Sequence, residues 1–171
     1  QGQVYESYNI ASLWQLPVIF VIENNKYGMG TSVNRSSAGD NLSDRGKAYG
    51  IKSEIVDGMD IIAVREAAIK AIEYCRLGKG PYILEMKTYR YRGHSMSDPA
   101  KYRTRDEVEQ IRKTSDPIEN IKVLLNKMGV VDKVLKDIDV EIKSIIADAA
   151  KFAQDSPEPS PSELYTDITI N

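Results

Sequence analysis

Two asparagines and two glycines follow a short apolar run near the start of the chain. The run covers residues 17–22 and indicates a strand buried on both faces of a parallel sheet. Asn24 and Asn25 come just past its carboxyl end, where ligands gather in open α/β sheets, and Gly28 and Gly30 would let a ligand approach the main chain. Amide and carbonyl oxygens are hard ligands suited to Mg²⁺. The alternative is an ordinary turn in which the asparagines only adopt left-handed backbone.

A second segment whose residues could take part in binding or catalysis covers residues 89–103. It is called the histidine loop below. It is polar, aromatic and basic, and it contains His94, the only histidine of the chain. Arg90 carries a planar guanidinium suited to phosphate or carboxylate, and Ser95 can fix a loop by hydrogen bonds. So long a segment without regular structure in a compact domain is usually functional or disordered. The alternative is a solvated loop whose histidine has no function.

The segments around these residues predict strands that alternate with helices. Asp60 is placed to cap a helix that ends at Gly78. The strand–helix–strand order indicates a right-handed crossover and a parallel sheet. The predicted elements are a helix over 3–15, a strand over 17–23, a loop over 26–41, a strand over 53–56, a helix over about 61–77 and a strand over 81–88.

The last third of the chain carries helical signals. Thr104 and Glu107 have capping-box spacing, and Asp116 precedes a proline suited to the first helical position. An apolar stripe over residues 132–154 predicts a long amphipathic helix that packs on the chain's own sheet, or alternatively forms an oligomer contact. The proline-rich residues 156–161 predict an extended tail.

Composition narrows the class of protein. The chain has 171 residues, 42% of them hydrophobic and 28% charged, as in a globular domain with its own core. Its net charge of −2, with both signs mixed, gives no field for nucleic acid or an anionic membrane. Cys75 is the only cysteine, which excludes an internal disulfide, and its place in a helical pattern indicates a buried structural residue.

The two polar segments together resemble a known family. Asn24-Asn25 and residues 27–31 resemble the second half of the thiamine-diphosphate signature, which opens with Gly-Asp-Gly. No Gly-Asp-Gly precedes Asn24, so we expect that half to lie upstream of Gln1. With residues 56–60 and 89–99, the chain is similar over essentially all 171 residues to the C-terminal half of the α subunits of pyruvate dehydrogenase's decarboxylating component.

This resemblance implies a fold and a domain organisation. The fold would be α/β, a thiamine-diphosphate-binding fold with a mostly parallel sheet flanked by helices and a helical C-terminal region. Residues 1–171 would be the C-terminal part of one thiamine-diphosphate-binding domain, with a helical region over 104–154 and an extended tail over 155–171.

The resemblance also implies roles for individual residues. Asn25 would give its side-chain oxygen and Tyr27 its backbone carbonyl to Mg²⁺, and the missing aspartate would be the third ligand. His94 would contact the diphosphate of thiamine diphosphate and support reductive acylation of the lipoyl carrier. Arg90 would help bind the cofactor and anchor the loop. Ser95 matches the main regulatory phosphoserine of mitochondrial relatives, and Ser32 matches a secondary site.

The implied activity is decarboxylation of pyruvate and acetylation of the lipoyl carrier, which feeds acetyl-CoA formation. A β subunit in an α₂β₂ heterotetramer and a lipoyl-bearing acyltransferase would be the partners, so the isolated chain is expected to be inactive. The alternatives are a branched-chain 2-oxo acid or acetoin dehydrogenase α subunit, or a non-catalytic scaffold of the same fold. The compartment would be the cytoplasm of a bacterium or the mitochondrial matrix of a eukaryote.

One departure from the family concerns regulation. A further phosphoserine of mitochondrial relatives is missing, because this chain has Pro99-Ala100-Lys101-Tyr102 with one residue fewer. Kinase control therefore does not follow from Ser95 alone.

Overall fold

A computed structural model describes residues 2–167 of the chain. The chain forms two compact units, one ending at Ile121 and the other beginning at Lys122. The helices are α1 (Gly2–Leu13), α2 (Val33–Ser36), α3 (Ile61–Arg76), α4 (Arg105–Ser115), α5 (Pro117–Lys127) and α6 (Asp132–Asp155), with 3₁₀ helices at Leu42–Tyr49 and Pro161–Tyr165. The strands are β1 (Ile19–Asn24), β2 (Tyr27–Gly28), β3 (Thr31–Ser32), β4 (Lys52–Asp57) and β5 (Tyr82–Lys87).

The first unit is built on a parallel sheet with the strand order β1-β5-β4. Asn24 at the end of β1 is in register with Lys87 at the end of β5, and Lys87 is in register with Asp57 at the end of β4. The carboxyl ends of the three strands therefore meet at one edge. The α/β class and the parallel, helix-flanked sheet predicted from the sequence are confirmed.

Successive side chains of β5 point to opposite faces of the sheet, and each face has its own hydrophobic cluster. Tyr82 and Leu84 pack with Ala67, Ala71 and Cys75 of α3 on one face. Ile83 packs on the other face with Tyr8 of α1 and with Ile51, which follows the Leu42–Tyr49 helix. The central strand is thus covered on both sides, as its apolar sequence predicts.

The predicted helix caps account for the helix boundaries of this unit. The Asp60 carboxylate accepts from the backbone amides of Ile62 and Ala63 and begins α3, while Gly78, with φ of +69°, follows its end. Thr104 Oγ1 accepts from Glu107 N at 3.1 Å and begins α4. Asp116 Oδ1 accepts from the first free amides of α5, including Ile118 N at 3.0 Å.

One local prediction of this unit needs correction, and one helix was missed. The loop expected over residues 26–41 contains the antiparallel pair β2–β3 and the short helix α2. The Leu42–Tyr49 helix was not predicted, because its only buried residues are Ser43 and Gly46, which give no apolar period.

Cys75 is buried, as predicted, and its Sγ lies 3.6 Å from the carbonyl oxygen of Val18. Burial raises the pKa of this thiol, which suits a structural residue.

The second unit contains α6, the long helix predicted over residues 132–154. Leu135 is half-buried, but Ile138, Ile142, Ile145 and Phe152 are exposed. What covers this stripe, the chain's own sheet or another chain, therefore stays a prediction. Amphipathic period shows that a helix has an apolar face, but it does not show what covers that face.

The predicted tail also differs from a fully extended chain. Residues 161–165 form a 3₁₀ helix that starts at a proline, and Glu163 Oε1 accepts from Ser160 N at 3.4 Å. The last four residues of this predicted tail lie outside the described residues. No helix among residues 2–167 is long and apolar enough to cross a membrane.

Candidate functional site

The first part of the candidate site is the asparagine turn, residues 24–27, at the carboxyl end of β1. Asn24 is 7% exposed, and its Oδ1 accepts from Lys26 N at 3.1 Å. This contact closes a local turn in which Lys26 has a φ of +65°, unusual for a residue with a side chain. The left-handed residue separates Asn25 from Tyr27, the two predicted metal ligands.

Glu85 of β5, and Thr88 and Arg90 just after it, contact successive residues of the asparagine turn. Glu85 Oε1 accepts from Asn24 Nδ2 at 2.9 Å. Thr88 Oγ1 donates to Asn25 Oδ1 at 2.5 Å. These contacts join the turn to the central strand of the sheet and fix the direction of both asparagine side chains.

Arg90 makes the third contact of this series. Its Nη2 donates to the carbonyl oxygen of Tyr27 at 3.0 Å, so the start of the histidine loop is attached to the asparagine turn. Its other terminal nitrogen, Nη1, is buried and has no hydrogen-bond partner among the described residues. A buried guanidinium nitrogen without a partner is a donor suited to an anionic ligand.

The Asn25 amide is held on both sides. Its Nδ2 donates to Glu23 Oε1 at 2.8 Å, while its Oδ1 accepts from Thr88. These partners settle which atom of the amide faces Thr88, and an amide oxygen keeps a second lone pair for another ligand.

The donor set can be tested against the predicted metal. Asn25 Oδ1 and Tyr27 O are neutral oxygens of the kind Mg²⁺ binds, and each keeps one lone pair beside its present partner. The Arg90 guanidinium, 3.0 Å from Tyr27 O, would repel a bare cation. It favours a metal that arrives with an anion such as a diphosphate. Residues 2–167 contain no cluster of three or more His, Cys, Asp or Glu that could hold a metal ion. The donors therefore fit a metal–diphosphate complex with a carboxylate from outside these residues.

The histidine loop is organised around Asp98. Its Oδ2 accepts from His94 N at 2.7 Å and from Tyr102 OH at 2.9 Å, while its Oδ1 accepts from Ala100 N at 2.8 Å. The backbone amides of His94 and Ala100 lower the pKa of this carboxyl. Gly93 is required here, because a Cβ at that position would lie 2.7 Å from the carbonyl oxygen of Asp98.

Arg103 closes the base of the loop. Its guanidinium donates to the carbonyl oxygens of Arg90 and Arg92 and lies 5.2 Å from the ring centroid of Tyr89. The ring of Tyr102 lies 5.2 Å from that of Tyr27, which brings the end of the loop to the asparagine turn.

Tyr89, at the base of the loop, is buried. Its hydroxyl donates to Glu107 Oε1 at 2.8 Å. Burial and this carboxylate raise the pKa of Tyr89 to about 12. Glu107 therefore completes only half of the predicted capping box, because its carboxylate holds Tyr89 instead of the backbone of Thr104.

The remaining predicted site residues lie further from the sheet edge. His94 is exposed, and its imidazole has no hydrogen-bond partner among the described residues. Ser95 is exposed, with its Oγ 3.0 Å from Ser97 Oγ. Ser32 is half-buried in β3 and lines an open cleft of about 350 Å³ together with Asn24, Tyr27 and other residues. The structure brings Asn25 and Tyr27 into one turn, where Thr88 binds Asn25 and Arg90 binds Tyr27, and no hydrogen bond joins His94 or Ser95 to this turn.

Sequence reasoning missed Glu85 and Thr88, the two residues that hold the asparagines. The signal for Glu85 was present, because a carboxylate between Leu84 and Met86 in a buried strand needs dedicated partners. Thr88 gave no such signal, since a threonine at a strand end is ordinary.

Comparison with known proteins agrees with these features. Residues 1–162 match the family described as dehydrogenase E1 component. The chain is 60% identical over 171 residues to the pyruvate dehydrogenase E1 component subunit alpha of Rhizobium meliloti, a match that covers 99% of this chain and 49% of that protein. It is 54% identical to the subunit of the same name from Zymomonas mobilis, over 99% of this chain and 48% of that protein.

A mitochondrial relative is also similar. The somatic form of the pyruvate dehydrogenase E1 component subunit alpha of Homo sapiens is 52% identical over 96% of this chain and 42% of that protein. The chain belongs to the dehydrogenase E1 component family. It spans about half the length of the curated relatives it matches.

Proposed function

We propose that this chain is the cofactor-binding C-terminal part of a pyruvate dehydrogenase α subunit, and that its asparagine turn holds Mg²⁺ and the diphosphate of thiamine diphosphate. The single observation that carries this is the pair of hydrogen bonds that hold Asn25 Oδ1 and Tyr27 O, one from Thr88 and one from Arg90. Relatives at 60% and 54% identity bear the pyruvate dehydrogenase name, which supports pyruvate as the substrate.

Each residue of the site would have a defined part in the complex. Asn25 and Tyr27 would give two neutral oxygens to the metal, and an aspartate outside this chain would add the carboxylate that a hard cation favours. Arg90 Nη1, buried without a partner among the described residues, would donate to the diphosphate. When bound, the cofactor supplies both the nucleophilic carbon and the electron sink for decarboxylation.

His94 would act from the histidine loop. Its backbone is fixed by Asp98 while its imidazole is exposed, so the side chain can turn toward an anion without breaking the loop. We propose that it donates to the diphosphate and helps the lipoyl carrier take up the acetyl group.

The assembly would include further chains. A β subunit would complete the cofactor site in an α₂β₂ heterotetramer, and a lipoyl-bearing acyltransferase would receive the acetyl group for acetyl-CoA formation. The compartment would follow the source, either the bacterial cytoplasm or the mitochondrial matrix.

Ser95 and Ser32 would be sites of phosphorylation. A phosphate on Ser95 would place about two negative charges close in sequence to Asp98, and like-charge repulsion would weaken the hydrogen bonds that fold the histidine loop. Ser32 is half-buried, so a phosphate there would have to enter the cleft beside the asparagine turn.

The test uses the full-length subunit assembled with its β partner. Asn25→Ala should raise the apparent Kd for thiamine diphosphate with Mg²⁺ by about 10- to 100-fold, while the melting temperature of the cofactor-free protein changes little. Asn120→Ala, an exposed change on α5, is the matched control. Unchanged affinity in Asn25→Ala would remove this residue from the metal site. Comparing turnover of pyruvate with that of a branched-chain 2-oxo acid tests the substrate.

Loop closure has a separate test. Trypsin should cut the cofactor-free assembly at Arg92 or Lys101, which are exposed, and cofactor with Mg²⁺ should suppress the cleavage. His94→Ala should reduce this protection. Equal cleavage with and without cofactor would contradict a closing role for the loop.

A further inference from the structure

One charged side chain of the described residues is completely buried in the sheet. Glu85 is 0% exposed and lies in the central strand β5, between Leu84 and Met86. Leu84 and Met86 pack on the side of α3, so Glu85 projects to the opposite face, which the Leu42–Tyr49 helix covers. A buried carboxylate is costly unless it is hydrogen-bonded.

Both oxygens of Glu85 are used, and both partners are donors. Asn24 Nδ2 donates to Oε1 at 2.9 Å, and Ser43 N donates to Oε2 at 2.8 Å. Burial raises the pKa of the Glu85 carboxyl, but the interactions with Asn24 and Ser43, together with the charge of Lys87, outweigh burial and leave the pKa below its usual value. The site therefore requires a group with two acceptors.

The hydrogen bonds continue from Glu85 into the asparagine turn. Because Asn24 gives its Nδ2 to Glu85, its Oδ1 is directed at Lys26 N, 3.1 Å away. That second contact holds Lys26 in its left-handed conformation, with φ of +65°. Asn25 and Tyr27 are the residues on either side of Lys26.

We propose that Glu85 is a positioning residue of the metal–diphosphate site, which fixes the asparagine turn to the Leu42–Tyr49 helix and thereby places Asn25 Oδ1 and Tyr27 O. This inference rests on the proposed function for the identity of the ligand. The role of Glu85 in fixing the turn rests on the described contacts alone.

A purely packing role would not need a carboxylate. An apolar residue of similar size fills a buried strand position without the cost of removing a charge from water. Such a residue would leave Asn24 Nδ2 and Ser43 N without acceptors. Glu85 is therefore needed as the acceptor for these two donors, and not to fill the volume of the site.

Glu85→Gln tests this hydrogen-bond logic with almost no change in volume. A glutamine has one oxygen and one NH₂ group. With its oxygen toward Asn24, its NH₂ would face Ser43 N, so two donors would meet and the contact with the Leu42–Tyr49 helix would be lost. With its oxygen toward Ser43 N, its NH₂ would face Asn24, whose amide must rotate to present its oxygen. That rotation removes the acceptor from Lys26 N, so the turn loses its internal contact.

The double variant Asn24→Asp with Glu85→Gln should restore the network. The new aspartate has two acceptors, one for Lys26 N and one for the glutamine NH₂, and the glutamine oxygen still accepts from Ser43 N. The buried site keeps one negative charge. Asn24→Asp alone should be the worst variant, because it places two carboxylates side by side in a buried site.

The measurements use the full-length subunit assembled with its β partner. The first is hydrogen–deuterium exchange over residues 22–30 without cofactor. The second is titration with thiamine diphosphate and Mg²⁺. Glu85→Gln should speed exchange of this segment and raise the apparent Kd about tenfold or more, and the double variant should bring both values back to those of the original protein.

Glu54→Gln is the matched control, since Glu54 is a carboxylate of the neighbouring strand β4 that binds Lys70 and Tyr82, away from the turn. It should change neither measurement. Equal exchange in Glu85→Gln and Glu54→Gln would overturn the proposal, as would a double variant that folds but keeps fast exchange and weak binding. If Glu85→Gln alone does not assemble, the double variant decides in the same way.

The two proposals can fail separately. If the original protein does not bind thiamine diphosphate with Mg²⁺, the proposed function is wrong. The exchange measurement needs no cofactor, so it still shows whether Glu85 fixes the turn.

Discussion

The asparagine turn and the histidine loop are both polar and both belong to the candidate site, but different parts of the molecule hold them. The turn is attached to a buried strand: Glu85, at 0% exposure, and Thr88 fix Asn24 and Asn25. The loop is held mainly by its own members, because the groups that bind Asp98 lie within residues 94–102.

This difference determines which of the two segments can open while the sheet stays folded. Breaking a contact of the turn disturbs a strand in the core, whereas the loop's internal contacts at Asp98 can open without unfolding the sheet. The turn is therefore suited to hold a ligand in one geometry, and the loop is suited to close over it. Arg90 joins the two, since its guanidinium reaches Tyr27 O from the first residues of the loop.

The largest effect is expected at Gly58, where the backbone packs closely against the residues that hold the asparagine turn. Gly58 N donates to Lys87 O, and a Cβ on Gly58 would lie 2.5 Å from Thr88 Cγ2 and 3.1 Å from Lys87 O. Gly58→Ala should cost about 1–3 kcal/mol of unfolding free energy and move Thr88 away from Asn25.

Denaturant unfolding and cofactor titration of the assembled subunit measure both effects. Gly28→Ala is the control for the unfolding measurement alone, because a Cβ there meets no atom within 4 Å. Equal stability of the two variants would mean that β5 can shift and that the turn is less rigid than described.

Removing the Thr88 hydroxyl breaks one contact of the turn just beyond the end of β5 and leaves the side chains of the strand itself unchanged. Thr88→Val should raise the apparent Kd for thiamine diphosphate with Mg²⁺ about tenfold or more, because Asn25 Oδ1 loses the donor that directs it. Thr88→Ser should retain most of the affinity. Thr114→Val, which removes a hydroxyl bound to Gln110 O on α4, is the control. If Thr88→Val binds as well as Thr114→Val, then Asn25 does not need Thr88.

The contrast also shows what the sequence could predict. Helix caps such as Asp60 and Thr104 were found because capping depends on residues a few positions apart. The three parallel strands followed from local apolar runs. The candidate ligands Asn25 and Tyr27 came from the resemblance, and their supporting contacts cross about sixty positions of sequence, as Glu85 to Asn24 does with a separation of 61. No local pattern encodes such pairs.

Other parts of the fold were not predictable for a similar reason. In the first turn of the Leu42–Tyr49 helix, Ser43 N donates to Glu85. Further along, Gly46 packs closely against Ile83. Tertiary contacts therefore define this helix. The stripe on α6 was predicted, but an apolar period does not identify the surface that covers it.

A smaller effect is expected in the histidine loop. Asp98→Asn replaces one acceptor of a carboxylate that binds His94 N, Ala100 N and Tyr102 OH, so one donor loses its partner. Trypsin cleavage of the cofactor-free assembly at Arg92 or Lys101 should become several times faster, while the melting temperature stays nearly unchanged. Asp106→Asn, on the exposed side of α4, is the control. A large fall in melting temperature would contradict the view that the loop opens independently of the sheet.

The same carboxyl makes the loop sensitive to acid. The amides of His94 and Ala100 lower the pKa of Asp98, so the folded loop favours the charged form. The stabilisation is complete above the ordinary aspartate value of about 3.9 and is lost as the pH falls through the lower, folded pKa. Hydrogen exchange of residues 93–102 should accelerate over this acid range before that of β5 does. Simultaneous acceleration of both segments would mean that loop and sheet unfold together.

The smallest effect concerns the strain at the centre of the turn. Lys26 has a φ of +65°, a conformation that costs a residue with a side chain about 1–2 kcal/mol. Lys26→Gly removes that cost but gives the unfolded chain more freedom, worth roughly 0.5–1 kcal/mol, so unfolding free energy should rise by no more than about 1.5 kcal/mol. Gly50→Ala is the opposite control, since Gly50 has a φ of +67° with open space around it and should lose stability by a similar amount. Cofactor affinity of Lys26→Gly should stay unchanged if Asn24 and Glu85 alone hold the turn. Weaker binding at equal or higher stability would instead show that the Lys26 side chain itself faces the ligand.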